Sequence, residues 1–208
     1  MALERDRAAL RRAFSAIAPI DDDAWREIAP HFVPRRLARG ERLLRAGEVA
    51  RVAAFVCRGA LRESTVGADG REHAKSFCLE GDLSGSLADL IAGLDGAPSR
   101  SAIEALEPTE LLCADYPTLR RELRAETWSA VARGIAERLA LAKAEREHEL
   151  LALDAEQRWL ALLARRPDLP GRIAQRHLAS FLGITPEALS RLRARLASQG
   201  ANARARRR

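Results

Sequence analysis

Near the end of the chain stands "RHLASFLGITPEALSRLRARL", Arg176 to Leu196. Leu178, Ala179 and Leu182 recur at helical spacing and make one apolar side. Gly183 follows at the place where a left-handed residue closes a helix. Ile184 is apolar in the turn and suits the space between two crossing helices. Thr185 is a good N-cap, and Pro186 falls at the first helical position, where a missing N–H costs nothing. Leu189, Leu192 and Leu196 then recur at three and four. Cap, closure and periodicity agree on a helix-turn-helix.

The polar faces carry the chemistry. With the leucines inward, Glu187, Ser190, Arg191 and Arg195 point outward or to the flank. A second helix of this kind enters a DNA major groove with its N-terminal half leading. Arg191 can donate two hydrogen bonds to guanine, and a carboxylate such as Glu187 can accept from cytosine. Their spacing of one turn also fits an intrahelical ion pair worth ~0.2–0.5 kcal/mol, and both readings stay open. Thr185, with the free N–H groups at the helix start, suits a phosphate. Arg176, Arg193 and the terminal arginines suit non-specific phosphate contact. His177 lies on the first helix of the motif.

Charge is distributed to match. Of 208 residues, those from Gly171 to Arg208 include nine arginines, no lysine and one acid, Glu187, a net charge of +8. The whole chain carries only +6, so the remaining body is close to neutral. A basic end on a near-neutral body is the footprint of a polyanion binder. "ARARRR" (Ala203 to Arg208), taken alone, reads as a solvated tail.

Hydrophobic residues at 47% allow a buried core, while charged residues at 31% argue against a membrane protein. No apolar run approaches the ~20 residues of a membrane span. "MALERDRAALRRAF" is charged and interrupted, so no secretory signal is expected and the protein should stay in the cytoplasm. Cys57, Cys78 and Cys113 form no C-x-x-C pair and indicate neither a zinc site nor a disulfide framework.

Upstream, residues 2–17 and 21–29 read as helices, the second capped by Asp21. From Val33 to Asp115, short apolar runs such as "VAAFVCRGALRESTV" alternate with glycines, the pattern of an antiparallel β-sandwich or roll. "GADG" (Gly67 to Gly70) is a hairpin turn. A long helix is expected from Thr118 to about Leu153. Its stripe of Trp128, Val131, Ile135, Leu139 and Ala142 suits a second copy of the chain in a coiled-coil-like dimer, or the helix's own β domain. Another helix covers 155–164, followed by a linker, "RRPDLPGR" (Arg165 to Arg172). The fold class is α+β, in three parts: a β-roll sensor with N-terminal helices over 1–116, a dimerisation helix over 117–150, and a helix-turn-helix domain over 151–208.

At this point the chain resembles the cyclic-AMP receptor protein / fumarate-nitrate regulator (Crp/Fnr) family of bacterial transcription regulators. "LGITPEALSRLR" is similar to the recognition region of one branch, and "GERLLRAGE" with "FVCRGALR" (within Gly40 to Arg62) to its β-roll strands. "EGDLSGSL" (Glu80 to Leu87) and "PSRSA" (Pro98 to Ala102) resemble the two ends of its phosphate-binding cassette. The resemblance implies a cyclic nucleotide-binding-like jelly roll and a winged-helix-like DNA-binding domain. It implies a homodimer on double-stranded DNA, with RNA polymerase as a further partner, and Gly85, Ser86, Arg100 and Ser101 at the effector. Ser86 stands where the family's ribose-binding glutamate would be, which removes a charge-assisted acceptor and counts against cyclic AMP. The stretch between, "ADLIAGLDGA", is longer than usual. An iron–sulfur cluster needs about four cysteine ligands, and with three scattered ones none is expected. "DLSGSLADL" offers no His or Cys to a haem. His73 reads as a surface strand residue.

Only about a dozen residues follow Leu196, so no full C-terminal wing is expected; a small strand pair near Arg172 to Ala174 stays open. No P-loop, nucleophile elbow or metal-ligand spacing points to an enzyme. The alternative to a DNA regulator is an effector-binding module whose basic helix docks an acidic protein.

Overall fold

The computed structural model describes residues 1–67 and 70–205, the last six without their side chains. Ala68 and Asp69 of the expected hairpin turn and Arg206 to Arg208 of the tail lie outside the described residues. The chain divides into two compact units, one from Met1 to Leu141 and one beginning at Ala142. The boundary falls within the long helix expected over 117–150.

The first unit begins with α1 (Ala2–Ser15) and α2 (Asp22–Ile28). Asp21 caps α2, its carboxylate accepting from the Ala24 N–H at 2.7 Å. Eight strands follow: β1 (Val33–Leu37), β2 (Arg42–Leu44), β3 (Val52–Arg58), β4 (Leu61–Val66), β5 (Glu72–Cys78), β6 (Leu83–Ser84), β7 (Ser101–Ala105) and β8 (Thr109–Asp115). A short helix, α3 (Leu87–Gly93), separates β6 from β7. The strands form two antiparallel four-stranded sheets, ordered β1-β8-β3-β6 and β2-β7-β4-β5.

The unbroken apolar runs in β3 and β8 have a physical reason. Strand residues alternate between faces, and the first sheet is buried on both. Ala54, Val56, Leu111 and Cys113 face the inside of the roll with Leu37, Leu61 and Ile103. Phe55, Leu112 and Ala114 face the other way, onto Leu10, Phe14, Ile28 and Phe32 of the N-terminal helical region. The N-terminal helices therefore complete a second core behind the roll.

The long helix does not start at Thr118. Instead α4 (Tyr116–Glu122) is capped by Asp115, which accepts from the Thr118 N–H at 3.1 Å. Leu123 is extended, with ψ 143°, and drops into the second core at 7% exposure. A fresh helix, α5, runs from Ala125 to Ala152. Glu27 receives the Arg124 N–H at 3.3 Å and pairs with the Arg124 guanidinium, which secures the break. The helical periodicity crosses this point undisturbed, so the sequence pattern hides it.

In its first half α5 turns its stripe onto its own unit. Val131 is 5% exposed, Trp128 stacks edge-on with Tyr116 at 5.5 Å, and Ile135 packs on the second core. Gly134 permits the close approach: a Cβ there would stand 2.3 Å from the Ile17 carbonyl oxygen.

The second unit holds the end of α5, then α6 (Ala155–Arg165), α7 (Leu169–Arg172), α8 (Gln175–Leu182) and α9 (Pro186–Ala205). A capping box of Asp154 and Gln157 starts α6. The expected linker is partly helical, as α7. The strand pair left open near Arg172 to Ala174 does not form among the described residues: Arg172 ends α7, and Ile173 (ψ 128°) and Ala174 (ψ 138°) only link it to α8.

Arginines tie the elements of this unit together. Buried Glu149 of α5 accepts from Arg146 at 3.1 Å and from Arg165 of α6. Arg146 also donates to the Phe181 carbonyl and lies 4.0 Å over the Phe181 ring. Arg158 donates to the Leu182 carbonyl at 3.0 Å and the Leu153 carbonyl at 2.5 Å. These are helix-end carbonyls that have no partner within their own helices.

Three outcomes are expected. Gly134→Ala should lower the melting temperature, because overpacking against a backbone carbonyl costs about 1–3 kcal/mol and outweighs a helix-propensity gain of about 1. Gly171→Ala, with no atom within 4 Å of its Cβ position, should leave stability unchanged or raise it by about 0.4–1 kcal/mol. Desolvation pushes the Glu149 carboxyl up, but Arg165 and Arg146 outweigh it and hold the group below the usual carboxylate range. It therefore binds fewer protons folded than unfolded, and its stabilisation is present above about pH 4.5 and lost on acidification. Glu149→Gln should flatten the acid limb of stability measured by denaturant melts from pH 3 to 7.

Candidate nucleic-acid interface and the β-roll cassette

The turn between α8 and α9 closes as the sequence reading requires. Gly183 has φ +70°, the left-handed conformation, and the Ile184 N–H reaches the Ala179 carbonyl at 3.0 Å. Thr185 Oγ1 accepts from the Ala188 N–H at 3.2 Å, the N-cap bond of α9. Gln175 adds a clamp that the sequence reading missed, its side chain donating to the Pro186 carbonyl at 2.7 Å. Leu178, Leu182 and Leu189 are fully buried and Leu192 nearly so.

That burial sets the rotation of α9. Glu187, Ser190 and Arg191 are exposed on the side away from the leucines. The N–H of Glu187 itself, the Thr185 hydroxyl and the charge of Arg191 hold the Glu187 carboxyl below its ordinary range. Glu187 and Arg191 form no ion pair among the described residues. The two flanking arginines are engaged within the unit. Arg195 pairs with Glu156 of α6 at 2.5 Å, and Arg193 lies 5.8 Å from the centre of the Trp159 ring. Arg176 is exposed on α8. His177 is buried, at 9% exposure. The Glu156 pairing spans 39 residues of chain, and no local signal announces it. Arg191 and Arg195 border a groove of about 340 Å³ whose other wall includes Asp154 and Glu156.

In the roll, the two ends of the cassette come together. Gly85 has φ +140°, a value that favours glycine. Ser86 and Ser101 are 7% and 1% exposed, and their hydroxyl oxygens stand 3.4 Å apart. Lys75 of β5 donates to Ser101 Oγ at 2.9 Å and pairs with Glu63 at 2.6 Å. The Arg100 side chain is exposed, while its backbone N–H donates to Asp89 Oδ1 at 3.3 Å. The long insertion "ADLIAGLDGA" folds as α3 and the turn after it, and it delivers Asp89. Asp89 is 9% exposed, and it is the cassette residue that sequence reading missed. Burial raises its carboxyl, but the hydroxyls of Ser101, Ser86 and Ser99 and the Arg100 N–H outweigh that and lower it.

A separate cavity of about 370 Å³ lies on the outer side of the roll. Phe14 of α1, Phe32 and Ala54 line it, and so do Trp128, Val131, Ile135 and Leu139 of α5. The stripe residues expected to face a second copy are thus used within the chain at Trp128 and Val131. Leu139 is half-buried and Ala142 is exposed. Among the described residues no group of His, Cys, Asp and Glu could hold a metal, and no helix is long and apolar enough to cross a membrane.

Residues 34–126 match the cyclic nucleotide-binding domain family. FixK2 of Bradyrhizobium japonicum has a similar structure, with a TM-score of 0.66 at 24% identity over 81% of this chain and 86% of that one. The c-di-GMP responsive global regulator CLP of Xanthomonas campestris has a TM-score of 0.67 at 18% identity, covering 86% and 93%. The catabolite activator protein of Thermus thermophilus has 0.51 at 26%, covering 88% and 86%. The chain has the fold of the Crp/Fnr regulators. Its α+β class, β-roll and C-terminal helices are those expected for a Crp/Fnr chain. No curated protein matches its sequence.

Cys57 and Cys113 are free thiols. Burial pushes the Cys57 and Cys113 thiols up to about 11. At neutral pH their thiolate fraction should be about a hundredfold below that of an ordinary cysteine. A thiol-reactive dye at pH 7.5 should label both slowly in the folded protein and quickly in denaturant, as mass spectrometry of the labelled peptides would show.

Proposed function

We propose that the chain is a DNA-binding transcription regulator of the cytoplasm, without catalytic activity, that works as a homodimer on an inverted repeat. The observation that carries this reading is the face of α9. Burial of its leucines leaves Glu187, Ser190 and Arg191 exposed at the N-terminal half, where such a helix meets base edges. Arg191 reads guanine, Thr185 and Arg176 meet phosphates, and Arg193 and Arg195 serve the backbone from the flanks. The pairing of Arg195 with Glu156 sets its guanidinium in place and reduces its share of phosphate attraction. Two copies of α9 then sit one DNA turn apart, ~34 Å. RNA polymerase is the partner through which such a regulator acts on transcription, and the β-roll is its regulatory half.

Dimerisation falls on the free surface of α5. Trp128 and Val131 are occupied by their own unit, and the opposite side of the helix presents Ala136, Ala140 and Leu141, the last 72% exposed. Leu141→Asp should give a folded monomer by analytical ultracentrifugation, whereas Val131→Asp should unfold the first unit.

Selection of bound duplexes from a random pool tests the reading directly. The expected product is a palindrome, bound with log affinity falling steeply with log salt, by about 0.9 per phosphate contacted. Arg191→Ala should lose preference at one position per half-site, about 1–3 kcal/mol. Arg176→Ala should weaken all sequences alike and reduce the salt slope by about 1. Salt-insensitive binding without sequence preference would overturn the proposal.

A further inference from the structure

The β-roll cassette brings together groups suited to an anion, and the chain supplies an anion of its own. The Asp89 carboxylate accepts the Arg100 N–H at 3.3 Å, and Ser86, Ser99 and Ser101, three hydroxyl-bearing positions of the cassette, are buried with it. We propose that Asp89 is a built-in substitute for a ligand phosphate: it fills the anion-binding end of the cassette and makes the roll refuse cyclic nucleotides. The proposal rests on reading Ser86 to Ser101 as a phosphate-type cassette and is independent of DNA binding.

Charge balance supports it. Lys75 reaches Ser101 at 2.9 Å, but its ammonium is already matched by Glu63 at 2.6 Å. The one other cation of the cassette, Arg100, has the Asp89 charge bound to its own backbone N–H. The Arg100 N–H is therefore not free for an incoming phosphate, and the Arg100 guanidinium stands exposed outside the buried cluster. A second anion would meet the Asp89 carboxylate at short range in a desolvated site, where like charges repel far more than in water. Expelling Asp89 instead would take its carboxylate from the Arg100 N–H and leave a part-buried donor without its acceptor, which polar groups in a protein interior do not tolerate cheaply. Ser86 adds no charge that could recover the loss, since a neutral hydroxyl bonds a ribose less strongly than a carboxylate does.

The full-length chain, titrated calorimetrically with cyclic AMP and separately with inorganic phosphate, tests this. The unmodified chain should show no saturable binding of either up to about 1 mM. Asp89→Ala and Asp89→Ser, once shown folded by circular dichroism, should bind cyclic AMP at least about tenfold tighter than the unmodified chain, and a further Arg100→Ala should cancel the gain. Phosphate binding alone would mean that the anion end is open but the nucleoside is not accepted, which still supports Asp89 as the plug. Micromolar binding by the unmodified chain overturns the proposal, as do folded Asp89 variants that bind neither probe. Should both variants fail to fold, the isosteric Asp89→Asn and the titration of the unmodified chain decide it. Duplex binding measured on the same samples keeps the two readings apart, because a chain that ignores DNA can still gain a nucleotide on losing Asp89.

Discussion

On α9, Leu189 leaves no surface to water and Leu192 almost none, as do Leu178 and Leu182 on α8, and the rotation of α9 follows from that burial. A helix held by three or four apolar side chains on one stripe has no freedom to roll, since a turn of 100° would expose a leucine and bury a charge. Each fully buried leucine contributes roughly 1.5–3 kcal/mol relative to an exposed one. An exposed ion pair contributes at most about 1 kcal/mol. The apolar stripe therefore decides which way Glu187, Ser190 and Arg191 face, and the pairs made by Arg195 and Arg193 adjust what the stripe has already set.

The same reasoning explains how the motif is anchored. An α-helix ends with carbonyls that its own turns cannot satisfy. At the end of α8 these carbonyls are taken by Arg146 and Arg158, from α5 and α6. Glu149 balances the charge of Arg146 and Arg165, so a buried carboxylate sits among the cations that brace the helix-turn-helix. Arginine suits this role because its planar fork can serve a carbonyl and a carboxylate together.

The β-roll shows a different use of buried polarity. In the second unit arginines satisfy backbone and carboxylate. In the cassette, a backbone N–H satisfies Asp89, which α3 delivers among buried serines. The outer cavity, with Phe14, Trp128 and Ile135 along its walls, is chemically distinct from this polar cluster.

What could be read from the sequence was what depends on neighbours along the chain. Gly183, Thr185 and Pro186 act within one turn, and the leucines repeat every three or four residues, so the helix-turn-helix and its outward face were legible before any coordinates. The glycine-punctuated runs likewise announced a β-roll. Contacts between distant segments decided the rest. Whether Trp128 and Val131 meet a second copy or their own β domain depends on how close α1 comes, and Gly134 against Ile17 sets that distance. The break at Leu123 depends on Glu27, the restraint on Arg195 on Glu156, and the filling of the cassette on Asp89 reaching Ser99 and Ser101. Local propensity is written in adjacent residues. Burial and charge pairing depend on which surfaces the folded chain brings together, and that only the tertiary structure decided.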